Sequence, residues 1–296
     1  MSESPPESTD PSGETPPDPR PAIVGIGASA GGLEALKRFF AAVPGDSGLP
    51  YVVVVHLPVQ RESRLAELLQ PHACIPVMQV TGSTLLEPDQ VYVIPPGQNL
   101  SAVDSHLHLS SIEERREHRA PIDHFFRTLA EAFDGHAVGV VLTGTGSDGA
   151  LGARRIREKG GIVIVQDPDE AQFDGMPRSA LDTGVVDLVL PVAEIPARIL
   201  ELGRTHPRVR EDAGQAAGTE RDRVPRILTQ VQAHTGQDFS RYKRSTIERR
   251  LERRMQLRGI ERLPAYLDLL RESPQEAAAL ADDLLINVTS FFRDRA

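Results

Sequence analysis

The sequence predicts an α/β protein: a doubly wound, mainly parallel sheet in three αβα layers, with a second, small all-α domain behind it. Three observations carry that reading. Residues 21–204 alternate short β-rich runs with helical stretches, the pattern of βαβ units. Several runs are nearly continuous in Val, Ile and Leu, as strands buried on both faces require. From Arg223 onward the signals are helical only, and 296 residues are enough for a large domain plus a smaller one.

Residues 1–20 interleave six prolines with Ser, Glu and Asp and offer almost nothing large and apolar. Such a segment cannot offset its ordering entropy, so a disordered tail is expected. The first domain is expected over 21–204. Strands are predicted at 22–26, 51–56, 90–94, 107–110, 137–142, 161–166 and 185–190. Helices are predicted at 32–42, 62–69, 122–133, 150–159, 177–183 and 193–202. Residues 76–111 break the alternation and read as an antiparallel addition or hairpin. Residues 205–222 lose periodicity and mix charge with Gly and Ala, the mark of a linker. The second domain is expected over 223–296. Ser245 and Glu248 have the spacing of a capping box, and Ile247, Leu251 and Met255 follow at helical intervals up to a stop at Gly259. Helices at 264–270 and 275–285 come next. The chain closes on INVTSFFRD and two further residues, which reads as the front of a domain whose remainder is absent.

Composition narrows the function classes. Thirty-three basic against 42 acidic residues give a net charge of −9 and a pI near 5.5, poor footing for general nucleic-acid binding. A single cysteine excludes an internal disulfide framework and a clustered-cysteine zinc site. The longest purely apolar run, 51–55, is far short of the roughly 20 residues that span a bilayer. The acidic, proline-rich start is the opposite of a secretory leader. A cytoplasmic protein is expected, with no membrane insertion.

The first strand runs into Gly25-Ile26-Gly27-Ala28-Ser29-Ala30-Gly31-Gly32, where two motifs overlap. Gly25, Gly27 and Ala30 fit a loose dinucleotide fingerprint. Gly27, Ser29 and Gly31 fit a nucleophile elbow, in which a tight strand-to-helix turn exposes the serine. A turn serving only close packing is the bland alternative. The second strand discriminates, because a nicotinamide fold wants an acidic residue there for the ribose. It ends instead on His56, a residue suited to general-base work. Ligands in open α/β sheets meet the carboxyl ends of strands, and Ser29 and His56 both sit there. A third turn, 142–150, places Asp148 after a strand and before a helix. It reads either as a plain helix cap or as the carboxylate that orients an imidazole, with turn N–H groups facing an oxyanion. His106 and His108 share one face of a strand; a solvated face is the plainer reading than a metal pair.

Together IGASAGG, VVHLP, YVIPPG, VGVVLTGTGSDGA and FDGMPRSA resemble the catalytic domain of chemotaxis protein-glutamate methylesterases, over roughly residues 21–200. The resemblance implies a doubly wound parallel sheet and hydrolysis of glutamyl methyl esters on chemoreceptor cytoplasmic helices, with deamidation of certain glutamines. It assigns Ser29 as nucleophile, His56 as general base and acid, and Asp148 as orienting carboxylate. It implies no metal and no cofactor for the esterase. Two departures stand out. Only 20 residues precede the first strand, so the phosphoacceptor receiver domain common in this family is expected to be missing. Ala30 follows the serine where the family often has Thr.

FSRYKRSTIERRLERRM and LLINVTSFFRD resemble the N-terminal helical domain of chemotaxis receptor methyltransferases. That resemblance implies contacts of Asn287, Thr289 and Arg293 with S-adenosylmethionine, but only with a Rossmann-like domain following. Methyltransferase activity of this chain alone is therefore not expected. Between Arg241 and Arg258 eight basic residues face two acidic ones. The stretch reads as a solvated helix face or as a dock for acidic receptor helices. A methylesterase whose helical module is a receptor-docking remnant is the reading adopted; a non-catalytic adaptor on a degenerate esterase fold is the rival.

Overall fold

The computed structural model describes residues 23–56, 63–111, 120–205 and 223–286. The expected tail, nearly all of the expected linker and the three expected S-adenosylmethionine contacts lie outside the described residues.

The first domain is built on seven strands: β1 (Ile23–Ala28), β2 (Pro50–Val55), β3 (Val77–Gln79), β5 (Gln90–Val93), β8 (Ala137–Val141), β9 (Ile162–Gln166) and β10 (Leu188–Leu190). They line up as β10-β9-β8-β1-β2-β5-β3, and every neighbouring pair is parallel. The chain first builds outward from β1 through β2, then returns to lay β8 on the other side of β1. The switch point of the doubly wound sheet therefore falls between β1 and β8, where a crevice opens at the carboxyl ends. Strands β1, β2, β8 and β9 are buried throughout. Around them lie α1 (Gly32–Ala41), α2 (Leu65–Leu69), α3 (Pro121–Phe133), α4 (Ala150–Glu158), α5 (Gly175–Asp182) and α6 (Ile195–Arg204).

The stretch 76–111 contains the expected antiparallel hairpin but also strands of the main sheet. Its β3 and β5 extend the parallel sheet, and only β4 (Thr84–Leu85), β6 (Gln98–Val103) and β7 (His106–Ser111) form a separate antiparallel sheet. Strand β6 was not predicted, because its polar residues hide the alternation. The β6–β7 hairpin turns through Asp104 and Ser105, both at positive φ, as a two-residue loop between twisted strands demands. The last predicted strand shrinks to Leu188–Leu190, because Asp187 is diverted to receive the Val163 N–H at 2.9 Å.

The glycines of β1 have a packing cause. A Cβ on Gly25 would lie 2.7 Å from Leu129 Cδ2, and one on Gly27 would collide with Ile122. Helix α3 thus lies directly on β1, and the glycines are not there for a pyrophosphate. Gly25→Ala is expected to cost about 1–3 kcal/mol through overpacking; a urea midpoint equal to wild type would contradict the close approach.

The second cluster of buried apolar residues belongs to four helices, α7 (Arg223–Thr235), α8 (Arg244–Leu257), α9 (Leu263–Glu272) and α10 (Pro274–Leu285). Ile227, Val231, Leu251, Met255, Tyr266 and Leu280 fill its centre. The capping box predicted at Ser245 does not form: α8 starts one residue earlier, Lys243 is its cap residue, and Glu248 pairs instead with Arg244 at 2.7 Å. The arginine stretch is also corrected. Arg241, Lys243, Arg244 and Arg258 stay exposed, but Arg250 and Arg253 are 0% and 2% exposed and turn into the first domain.

Arg254 turns the other way, into the helical core. It donates from Nε and Nη2 to the two carboxylate oxygens of Glu276, which also accepts from Arg258 Nε and the Tyr266 hydroxyl. Burial pushes the Glu276 carboxyl up, but these donors together hold it below its ordinary value. A depressed carboxylate contributes stability above its unfolded pKa of about 4.3, and that contribution is lost as pH falls through the lower folded value. The stability gap between wild type and Glu276→Gln is therefore expected to be widest near neutrality and to narrow below about pH 4.3. Urea melts at two pH values check it; a constant gap would count against the pairing.

Candidate active site

Ser29 follows β1 directly. Its N–H is held by Thr143 O at 3.0 Å, its own carbonyl receives Gly32 N–H at 2.9 Å, and Gly31 takes φ 74° to turn the chain into α1. Only a small residue fits at 144, because a Cβ there would meet Met176 and lie 2.8 Å from Ser29 Cβ. The Thr143 hydroxyl accepts from Phe173 N–H at 2.8 Å and lies 3.2 Å from Ala30 O. One side chain thereby ties together the turn after β1, the turn after β8 and the segment entering α5.

His56 ends β2, the strand beside β1, and Asp148 stands in the turn between β8 and α4. The structure brings the three together. Ser29 Oγ lies 3.4 Å from His56 Nδ1, and His56 Nε2 lies 2.8 Å from Asp148 Oδ2. The imidazole is about a third exposed (35%), while the Asp148 side chain is 6% exposed. The ring's Nε2 faces the carboxylate and its Nδ1 faces the serine, the reverse of the serine-protease assignment. Either orientation allows one nitrogen to donate to the carboxylate while the other offers a lone pair.

Asp148 does more than face the histidine. It accepts Ile122 N–H at 3.0 Å and Asp123 N–H at 2.8 Å, capping α3. Asp123 returns the favour, accepting Gly149 N–H at 2.9 Å and Gly152 N–H at 2.7 Å to cap α4. Two successive helices thus cap each other through two neighbouring carboxylates. Burial, aided by the Asp148 charge, raises the Asp123 carboxyl above its ordinary value. Asp123, Thr143 and Met176 were not singled out in the sequence. An aspartate after Pro121 at a helix start is a local signal for Asp123, but its exchange with Asp148 is visible only in three dimensions.

Among the described residues there is no group of three or more His, Cys, Asp or Glu able to hold a metal. His106 and His108 sit 6.2 Å apart, ring to ring, on β7 of the antiparallel sheet, away from Ser29.

Residues 24–199 match the family model described as CheB methylesterase. The chain belongs to that family. The crystal structure of the Thermotoga maritima CheB methylesterase catalytic domain superposes with a TM-score of 0.57 at 31% identity, covering 62% of this chain and 98% of that one. A protein-glutamate methylesterase/protein-glutamine glutaminase of Geobacter sulfurreducens is 36% identical over 201 residues, which are 63% of this chain and 56% of that protein. A 104.1 kDa protein of Rhodobacter capsulatus, whose name gives no activity, is 38% identical over 251 residues, 78% of this chain but 26% of its own length. The chain thus spans between a quarter and somewhat over half of these curated relatives. Residues 224–285 match the family model for the all-alpha domain of CheR methyltransferase. The CheB-type domain and the CheR-type helices therefore follow one another on a single chain. No helix among the described residues is long and apolar enough to cross a membrane.

Proposed function

We propose that this chain hydrolyses glutamyl methyl esters, and deamidates glutamines, on the cytoplasmic helices of chemoreceptors. The observation that carries the proposal is the line from Ser29 through His56 to the buried Asp148 at the switch point of the sheet. Ser29 is the nucleophile. His56, with its proton on Nε2 toward Asp148, takes the serine proton on Nδ1 as Oγ attacks the ester carbonyl. The imidazolium so formed is stabilised by Asp148 and then protonates the leaving methoxide. Water activated by His56 releases the acyl group as free glutamate and restores the serine. Backbone N–H groups at the start of α1 and in the turn 143–149 supply the dipoles a developing oxyanion needs. The substrate places the reaction in the cytoplasm.

A fluorophosphonate probe and a methanol assay test the proposal together. The expected result is a single adduct on Ser29 and methanol release from a methylated receptor fragment. A chain that takes no label and releases no methanol, beside an active esterase control, would be a binding protein on an esterase fold.

A further inference from the structure

The arginines of α8 meet a surface shaped for them. Arg250 donates from its two terminal nitrogens to Arg157 O and Glu158 O, each at 2.6 Å. Those are the last carbonyls of α4, where the helix dipole is negative and a cation is favoured. Arg253 donates from Nε to Gly161 O at 2.9 Å. Its other nitrogens join a closed square, in which Arg157 and Arg253 each bridge Asp187 of the first domain and Asp283 of α10. All four side chains are at most 9% exposed. Arg249 reaches Asp134 at 3.0 Å and lies across Gly160, where a Cβ would come within 3.0 Å of its stem. The square is neutral; each half keeps one pair of its own, Arg157 with Asp187 and Arg253 with Asp283, and the two crossing pairs, Arg157 with Asp283 and Arg253 with Asp187, tie the halves together. Burial pulls the Arg250 guanidinium down to about 10.

The receiving atoms have a definite place in the fold. Gly160 and Gly161 lead into β9, Asp134 precedes β8, and Asp187 precedes β10. All lie at the amino ends of the strands, the edge opposite Ser29, His56 and Asp148. These contacts of the described helices thus lie on the edge away from the candidate active site.

We infer that this amino-end face is a docking surface for α8, strong enough to hold the helical domain on the esterase domain without a covalent link between them. On this inference the arginine-rich stretch acts within the chain and fixes the two domains as one body. The inference stands on the interface alone and does not depend on the esterase reading.

The test uses the full chain with a specific protease site placed inside 206–222. After cleavage, the two pieces are expected to elute from gel filtration together at micromolar concentration. The same cut in an Arg250→Ala/Arg253→Ala chain is expected to release two separate peaks. Arg244→Ala, which alters a residue of the same helix paired with Glu248, is expected to behave as wild type. Wild-type pieces that separate on cleavage would overturn the inference, and so would a cleaved double variant that stays whole. Should circular dichroism show the double variant unfolded before cleavage, Arg250→Lys replaces it. A lysine keeps the charge but cannot donate to both carbonyls in one plane, so association is expected to weaken about tenfold or more; association equal to wild type would overturn the inference.

Discussion

Ser29→Ala is expected to lower the rate of methanol release by on the order of 10⁶ and to leave stability unchanged. The size follows from the chemistry. Removing Oγ removes the atom that forms the acyl-enzyme, so His56 and Asp148 have nothing to activate, and only binding and oxyanion contacts remain. Those leave about 10³–10⁴ over the reaction in water. The neutrality in stability follows from the packing. The turn at residue 29 is fixed by its backbone, through Thr143 O and Gly32 N–H, while its hydroxyl makes one long contact of 3.4 Å with the ring. Alanine keeps the Cβ that faces Gly144 and adds nothing to a crowded turn. A variant that still releases methanol within tenfold of wild type would remove Ser29 from the mechanism. A variant that melts early would show instead that the hydroxyl is structural.

The placement of Ser29 and His56 on one edge was legible because it needs only two facts available in sequence: each residue ends a buried apolar run, and parallel strands end on the same side. Asp148 was legible by the same rule. The fate of the arginines was not. A guanidinium that caps α4 finds its partners about 90 positions back in the chain, and residue spacing carries no trace of that pairing. The charge count along α8 pointed outward because charge runs are ordinarily solvated; here α4 carbonyls and two buried aspartates outcompete water. The capping box failed for a related reason. Its glutamate had a nearer use as an i,i+4 partner of Arg244, and the helix began one residue early. Sequence patterns failed where a charged side chain had another partner, tertiary for Arg250 and Arg253 and local for Glu248, and held where the backbone alone set the geometry. The glycines of β1 sit between these cases: their presence was read, but their cause, the close approach of α3, required a partner about a hundred residues away.

Asp148→Asn tests whether one carboxylate serves both the fold and the chemistry. The wild-type group receives three hydrogens: two from the first turn of α3 and, in the proposed tautomer, one from His56 Nε2. A carboxylate has acceptors for all three, whereas an amide replaces one oxygen with a donor. If the NH₂ takes the Oδ1 place, it opposes the Asp123 N–H and that cap bond is lost, at a cost of about 1 kcal/mol. If it faces His56, it needs a lone pair on Nε2, and the ring proton moves to Nδ1, the nitrogen that must accept from Ser29. Catalysis then falls by about 10⁴, as expected of a triad held in the wrong tautomer. Oδ2 faces both His56 and Ile122 N–H, so either arrangement costs one cap bond and both remove the charge that stabilises the imidazolium; the expected signature is a large loss of kcat with a urea midpoint within about 1 kcal/mol of wild type. Asp123→Asn is the control. The same oxygen, Oδ1, caps both Gly149 and Gly152, so an amide can keep both bonds, and kcat is expected to stay within tenfold. If both variants lose stability and activity in parallel, Asp148 acts as a helix cap only. A loss of kcat confined to Asp148→Asn would separate the chemistry of this carboxylate from the reciprocal capping it shares with its neighbour.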